Sequence, residues 1–310
     1  MQAVIVLPAG SIAGDARPAE RRWLAKGRAQ VSAAREEPLT RLLRVLGRPP
    51  IEGGLAALRQ WGQTGQRPAG WLCAADPVYL EPRLDHLCLF ALSDLAAEEF
   101  AVLITDLDER LGADRDYRFS CIGTAGYLAS GEPLATATVS SLTAHGERPE
   151  RFLPVGPAAA AHDRLQSELQ MCLHELELNR WREENGRPPV NALWFWGGGA
   201  APVADGVPLP RLFSDEPVIT GYWRAAGAEP PAWPGRFADC VVDAGGAFVA
   251  APPWHPDGGQ DRYLEELRAL LGRGDLAGLT LLFHDGMRID LERRDRLRFW
   301  RRDLVGGNDG

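Results

Sequence analysis

The sequence has little lysine, no paired cysteines and no long hydrophobic run. Lys26 is the only lysine among 34 basic residues in a chain of 310. The arginines suit anion-binding sites, because guanidinium groups match carboxylate and phosphate geometry. The codon bias of a GC-rich genome explains them more simply. With 42 acidic residues the formal net charge is −8, which argues against nucleic-acid binding, since phosphate neutralisation needs a clustered basic surface.

No segment approaches the ~20 apolar residues of a membrane-spanning helix, so no membrane association is predicted. The N-terminus, MQAVIVLPAG, has no charged leader, and its apolar run is too short for a signal peptide. Five cysteines are odd in number and form no CxxC pair. Most of them lie in apolar runs, which is typical of buried thiols in a reducing compartment. The predicted location is the cytoplasm.

The order of apolar segments predicts an α/β or α+β sheet protein. At 45% hydrophobic and 25% charged, the composition is that of a globular protein. Buried strands are predicted at residues 3–7, 190–196 and 279–283, and the strongest helical periodicity runs over residues 161–184. Residues 11–37 are polar and predict either a mobile loop or a marginal helix.

The most unusual local feature is a buried strand that runs into Gly197, Gly198 and Gly199. Three glycines let backbone N–H groups approach an anion without interference from side chains. In open α/β sheets, ligands lie beyond the carboxyl ends of such strands. The same glycines also fit a flexible loop after a core strand, and the two interpretations carry equal weight.

Three further polar groups are candidates for a site. Asn179 and Arg182 share one helical face near a C-terminus, where arginine also suits the helix dipole. His284 and Asp285 follow an apolar strand, a suitable position for a metal-ligand or acid–base pair. Asp76 precedes a proline, which is equally typical of a turn. With the nearby Glu81, Arg83, Asp85 and His86, it could form a polar mouth.

The segment from Gln166 to Gly199 resembles the RpfE-like regulatory proteins of proteobacteria. The similarity extends to residues 75–80 and covers about residues 70–200, weakening towards the end of the chain. Its specificity comes from a combination of residues: Gln166, Gln170, Met171, His174, Asn179, Arg182, Gly186, Pro189, Asn191, Trp194, Trp196 and the three glycines.

That group is in turn distantly similar to the archaeal-type cofactor-independent phosphoglycerate mutases. Those enzymes have an Asn-x-x-Arg-x-x-x-Gly-x-x-Pro-x-Asn segment that leads into a strand and a glycine turn. This chain matches it at Asn179, Arg182, Gly186, Pro189, Asn191 and Gly197. The resemblance implies an alkaline-phosphatase-like three-layer α/β core (residues 1–70 and 161–310) with an inserted smaller α/β region (residues 71–160). It also places Arg182 and the glycine turn on a phosphate-facing surface.

The chain departs from the mutases where their chemistry lies. Their first strand ends in Asp-Gly, whose aspartate binds a metal, whereas here it ends in Leu7-Pro8-Ala9-Gly10. Their serine or threonine nucleophile has no match near Gly53 and Gly54. Two-metal phosphoryl transfer needs the carboxylates and histidines together, and only His284 and Asp285 match that set.

Three hypotheses follow. The first is a catalytically degenerate, cytoplasmic regulatory protein that binds a small phosphorylated or carboxylate ligand, or a protein partner, and neither nucleic acid nor membrane. Its predicted binding residues are Asn179, Arg182, Asn191, Gly197, Gly198, Gly199 and Asp76. The second is an active phosphotransferase or phosphohydrolase that uses His284, Asp285 and a divalent metal, with Asp76 as a further candidate residue. The third is an interaction module with exposed tryptophans.

Overall fold

In the computed structural model, the first strand lies at the centre of a six-stranded sheet. The model describes residues 1–32, 34–112, 116–203, 206–253 and 259–298. The first strand is β1 (Gln2–Val6), and its parallel neighbours are β9 (Phe248–Ala251) and β10 (Gly278–Leu282). The sheet is completed by β2 (Arg28–Val31), β8 (Arg211–Ser214) and β11 (Met287–Glu292), in the order β2-β11-β10-β1-β9-β8.

Helices cover both faces of this sheet. Ala3, Ile5 and Leu7 point to one face, where they pack in a core with α1 (Pro18–Leu24), α8 (Phe237–Ala244) and α9 (Gly259–Arg273). Because side chains alternate along a strand, β1 presents its other residues to the opposite face. There α2 (Pro38–Val45) contacts β1 and β10, and α7 (Pro217–Ala225) packs beside β8. The result is the predicted three-layer α/β arrangement.

A second sheet is built around one long strand, β3 (Leu72–Pro82). Along one edge β3 pairs antiparallel with β7 (Ala192–Gly199). Its other edge pairs with β4 (Leu87–Ala91) and β6 (Ala125–Ser130), and β5 (Tyr117–Ile122) extends the sheet beyond β6. The helices of this part are α3 (Leu55–Thr64), α4 (Ala97–Leu107), α5 (Ala159–Glu175) and α6 (Glu177–Glu184). The predicted α/β class is confirmed.

Contacts divide the chain into unit 1, residues 1–50 and 204–310, and unit 2, residues 51–203. The predicted inserted region, 71–160, lies within unit 2. Residues 51–70 and 161–203, which were assigned to the core, belong to unit 2 instead. The physical reason is the antiparallel pairing of β7 with β3, which runs from Leu72 opposite Gly199 to Val78 opposite Ala192 with one register shift between Leu72 and Ala74.

Several local predictions are refined by the structure. The helix expected over residues 161–184 is interrupted at Leu176, whose extended backbone (φ −68°, ψ 132°) separates α5 from α6. Residues 11–37 contain α1 and β2. Asp76, considered as a turn residue, lies in the middle of β3. No helix in the described ranges has both the length and the apolar character needed to span a membrane.

Candidate functional site

Arg182, the residue expected to face a phosphate, is completely buried inside unit 2. Its Nη2 donates to both carboxylate oxygens of Asp94, at 2.9 and 3.0 Å, and its Nε donates to the carbonyl of Pro188 at 2.9 Å. The remaining nitrogen, Nη1, makes no hydrogen bond to the part of the chain that the structure describes and lies 3.9 Å from the carboxylate of Glu99. The guanidinium therefore ties the end of α6 to the segment that precedes α4.

The two asparagines of the matched segment bond to backbone. Asn179 donates to the carbonyls of Leu173 (2.6 Å) and Val190 (2.8 Å), and its Oδ1 accepts from the N–H of Val190 at 2.8 Å. The side chain of Asn191 exchanges two hydrogen bonds with the backbone of Leu80, at 2.7 and 2.9 Å. Both amides fix the point at which the chain enters β7.

The three glycines of the predicted turn, Gly197, Gly198 and Gly199, are the last residues of β7, and they pack against a second pair of glycines, Gly53 and Gly54. The N–H of Gly54 donates to the carbonyl of Gly198 at 3.0 Å. A Cβ atom added to Gly199 would lie only 2.4 Å from the backbone nitrogen of Gly54, and one added to Gly197 would lie 3.0 Å from that of Ala56. The N–H of Gly198 donates to Thr136 at 3.2 Å. These glycines allow a close approach of the chain to itself, at the place where an anion was predicted.

Asp76 lies in a buried polar network on the α3 side of the sheet. Its Oδ1 accepts from Arg59 Nη1 at 2.7 Å, and its Oδ2 accepts from Trp196 Nε1 at 2.6 Å and from the Ser141 hydroxyl at 3.1 Å. Each carboxylate oxygen thus has at least one donor within the chain. The network satisfies a charge that burial alone would make costly.

Arg59, which sequence reasoning did not single out, is the cation of this network. It also donates to the Tyr127 hydroxyl at 3.1 Å and to the Gly126 carbonyl at 2.6 Å. Its guanidinium lies 4.6 Å from the Tyr127 ring centre and 5.2 Å from that of Trp196. Burial by itself would lower the pKa of Arg59, but the Asp76 carboxylate and Tyr127 raise it above the usual value, so the group stays charged.

His284 and Asp285 belong to unit 1 and form the turn between β10 and β11. Asp285 Oδ1 accepts from the N–H of Met287 at 3.0 Å, and the N–H of His284 donates to the carbonyl of Ser11 at 2.9 Å. The buried Arg41 of α2 donates to the carbonyls of Phe283 and Met287, which hold the same turn. Burial lowers the pKa of Arg41, and the nearby Asp285 carboxylate opposes that shift.

The metal-binding arrangement that the mutases imply does not fit the described residues. In the described ranges, no three or more histidine, cysteine, aspartate or glutamate side chains are grouped so as to hold a metal ion. One polar atom at this end of the sheet is unusual, however. The hydroxyl of Ser11 is buried and has no hydrogen-bond partner among the described residues.

Unit 2 contains an open cavity of about 440 Å³ beside the β3–β4 hairpin. His145 Nδ1 accepts from the N–H of Ala91 at 3.2 Å, so a neutral ring carries its proton on Nε2. The same ring lies edge-on to Phe90, with 5.4 Å between ring centres. Among the lining side chains, those with polar groups are Tyr79, Glu81, Arg83, Ser93, Asp94 and His145.

Both carboxylates of this cavity are already paired. Glu81 forms an ion pair with Arg83, and Asp94 is held by Arg182. The cavity therefore offers hydrogen-bond donors without an unpaired negative charge. Glu81 and Arg83 were part of the predicted polar mouth, whereas Asp76 lies in the buried network. His145 was missed, because an isolated histidine in a segment without periodicity gives no signal.

The predicted site residues thus fall into two groups. Asn179, Arg182, Asn191, the glycine turn and Asp76 lie in unit 2, and His284 and Asp285 lie in unit 1. The tryptophans are divided as well: Trp194 and Trp196 are buried, whereas Trp181 is 44% exposed.

Comparison with known proteins shows weak homology to archaeal cofactor-independent phosphoglycerate mutases. No family model matches the chain. It is 26% identical over 117 residues to the 2,3-bisphosphoglycerate-independent phosphoglycerate mutase of Methanosarcina mazei, and 27% identical over 117 residues to that of Methanosarcina barkeri. Each match covers 36% of this chain and 29% of the relative, so the chain spans less than a third of these relatives in sequence.

Two solved structures resemble the chain over most of its length. The cofactor-independent phosphoglycerate mutase from Thermoplasma acidophilum superposes with a TM-score of 0.40 at 17% identity, covering 94% of this chain and 89% of that one. The PH0037 protein from Pyrococcus horikoshii superposes with a TM-score of 0.48 at 14% identity, covering 94% and 87%. The resemblance to the RpfE-like proteins stays a prediction.

Proposed function

We propose that this chain is a phosphoglycerate-mutase-like protein that acts in regulation by binding and does not catalyse phosphoryl transfer. The observation that carries the proposal is that residues 179–199, the segment that resembles the mutases, have a structural role inside unit 2. Asn179, Arg182, Asn191 and the glycine turn all bond or pack within the chain. The residues of this segment that match the mutases therefore stabilise the fold of unit 2. A cytoplasmic location and membership of the RpfE-like group are parts of the same proposal.

The cavity beside the β3–β4 hairpin is the proposed ligand site. His145 Nε2–H, the Arg83 guanidinium and the hydroxyls of Tyr79 and Ser93 are hydrogen-bond donors around it. The aromatic rings of Tyr79 and Phe90 add apolar surface for a short carbon chain. This chemistry suits a small phosphorylated or carboxylate ligand, since charge-assisted hydrogen bonds to anions are the stronger kind.

Binding is tested by thermal unfolding of the full chain with 3-phosphoglycerate, with and without Mn²⁺. We expect the midpoint to rise equally in both conditions, because no donor in the cavity requires a metal. A ligand at a hundredfold excess over its Kd stabilises the native state by about 2.7 kcal/mol. His145→Gln and Arg83→Gln should each reduce the rise.

The matched control is His174→Gln, an exposed histidine on α5 that does not line the cavity. It should leave the rise unchanged. A rise that survives the combined His145→Gln and Arg83→Gln changes would show that the ligand binds elsewhere. No rise at any concentration would remove 3-phosphoglycerate as a ligand.

A second candidate function, an active phosphotransferase, is favoured by one observation in unit 1. The His284–Asp285 turn lies at the carboxyl ends of the parallel strands β10 and β1, together with the Ser11 hydroxyl, which has no hydrogen-bond partner within the described ranges. Ligands of open α/β sheets bind at that edge. Any further metal ligands would have to come from outside the described residues.

The two functions are separated by an assay for interconversion of 2- and 3-phosphoglycerate in the presence of Mn²⁺. We expect no turnover above the rate without protein. Asp285→Asn keeps an oxygen that can accept from Met287 N–H but removes the charge, so it perturbs the turn little. Turnover by the unmodified chain that Asp285→Asn abolishes would establish the second candidate and overturn the first. Turnover unchanged in that variant would also overturn the first, but would exclude Asp285 from the chemistry.

A further inference from the structure

The edge strand β2 leaves a row of backbone groups available for pairing. All four of its residues are exposed, and it terminates the sheet of unit 1 on the β11 side. The N–H of Ser32 donates to the carbonyl of Gly286 at 3.2 Å. Because antiparallel pairs alternate, Gln30 and Arg28 also bond towards β11, whereas Ala29 and Val31 direct their N–H and C=O groups outwards. No strand pairs with that outer edge among the residues that the structure describes.

The surroundings of β2 are positively charged, in contrast to the chain as a whole. The Arg28 side chain is 62% exposed and lies 3.4 Å from Glu292. The same carboxylate lies 2.6 Å from Arg294, so two guanidinium groups share one negative charge. Beyond them, Arg298 pairs with the buried Asp295 at 3.1 Å and donates to the carbonyl of Lys26. With the Arg288–Asp290 pair of β11 included, these described groups comprise four guanidinium groups and three carboxylates, an excess of one positive charge along this edge.

We propose that β2 binds an extended acidic segment of a partner protein, which adds to the sheet as a further antiparallel strand. This inference rests on the proposed role as a binding protein and names the chemistry of its partner. An added strand satisfies the outward groups of Ala29 and Val31, and main-chain hydrogen bonds of this kind supply affinity in strand addition. Arg28 and Arg294 then select for carboxylates in the added strand.

The backbone pattern distinguishes a peptide from other anions. The outer edge presents alternating donors and acceptors, whereas nucleic-acid and lipid phosphates offer acceptors only and leave the carbonyls of Ala29 and Val31 unpaired. A second copy of β2 fits less well, because pairing two copies would bring together two regions of like charge. Val31, 56% exposed, offers an apolar contact, so the matching segment alternates acidic and apolar side chains.

The test uses a fluorescein-labelled octapeptide of alternating glutamate and valine, with fluorescence anisotropy and the full chain. Ala29→Pro removes an outward N–H but no hydrogen bond to β11, and proline is tolerated on an edge of this kind. Losing one main-chain hydrogen bond should weaken binding about tenfold. The matched control Ala29→Ser keeps the N–H and should bind like the unmodified chain.

The role of charge is tested with a second variant, Arg28→Glu. This substitution changes only an exposed side chain, so its result does not depend on whether β2 accommodates a proline. It should weaken binding of the glutamate peptide and strengthen binding of a lysine–valine octapeptide. Equal affinity for the two peptides in the unmodified chain would overturn the proposal. So would equal losses in Ala29→Pro and Ala29→Ser. Stronger binding to phosphatidylserine vesicles or single-stranded DNA, sensitive to Arg28→Glu but not to Ala29→Pro, would replace the peptide with a general polyanion.

Failure of this proposal and failure of the proposed function are distinguishable. The peptide experiment reports only on β2, whereas the 3-phosphoglycerate and turnover measurements report on the cavity and on the β10–β11 turn. Absence of peptide binding with an intact 3-phosphoglycerate response would remove the strand-addition surface alone. Turnover of phosphoglycerate would overturn the proposed function whatever the peptide does.

Discussion

Replacing Asp76 with alanine is expected to lower the free energy of unfolding by about 3–5 kcal/mol, because the change leaves a buried guanidinium without its partner. The side chains of Asp76 and Arg59 are 12% and 10% exposed and lie 2.7 Å apart. Urea unfolding followed by tryptophan fluorescence measures the loss, and Trp196, which donates to the same carboxylate, lies close enough to report it.

Two controls separate an uncompensated charge from loss of packing. The double variant Arg59→Met with Asp76→Leu removes both charges and should recover much of the stability, since apolar replacements of buried ion pairs are often neutral. Asp85→Ala, at an exposed carboxylate, should leave stability unchanged. The opposite result would be an Asp76→Ala protein with an unchanged free energy of unfolding and no response to 3-phosphoglycerate. In that case Asp76 binds the ligand, as the sequence predicted.

Gly199→Ala is expected to destabilise the protein by about 2–5 kcal/mol, the sum of backbone strain and overpacking. Gly199 has φ of +148°, and its added Cβ would meet the backbone of Gly54 at 2.4 Å and that of Gly53 at 3.1 Å. Backbone atoms cannot rotate away as a flexible side chain can, so the two segments must separate. Thermal or urea unfolding measures the effect.

Gly186→Ala is the matched control for this change. Gly186 also has a positive φ, +68°, but nothing lies within 4 Å of an added Cβ. It should therefore cost only the strain, about 1–2 kcal/mol. Equal costs at the two positions would show that the glycine turn is not tightly packed. A stable Gly199→Ala protein that no longer responds to 3-phosphoglycerate would restore the turn as an anion site.

Elements with a strong local signal were predictable from the sequence. The apolar runs of β1 and β10 and the strand before the glycine turn each specify a strand within a few residues. Local patterns also placed Asn179 and Arg182 on one helical face. They could not identify Asp94, 88 positions away, as the partner of Arg182.

Long-range pairing determined most of what sequence reasoning missed. The Asp76-Pro77 dipeptide is typical of a turn, but pairing with β7 keeps it extended within β3. The unit boundary has the same cause, since nothing in residues 161–203 indicates that β7 pairs with β3. The cavity is assembled from residues near 80, 90, 145 and 188, and no one segment carries its pattern.

The arrangement of the two units along the chain has a consequence for synthesis on the ribosome. Unit 2 occupies one continuous segment, residues 51–203. The strands that flank β1 in unit 1 come much later, with Ala3 opposite Phe248 in β9 and opposite Leu279 in β10. Domains generally fold as units during translation. Unit 2 can therefore complete its sheet while β1 is still without either neighbour, and the nascent β1 must be kept from aggregating until β9 and β10 have emerged.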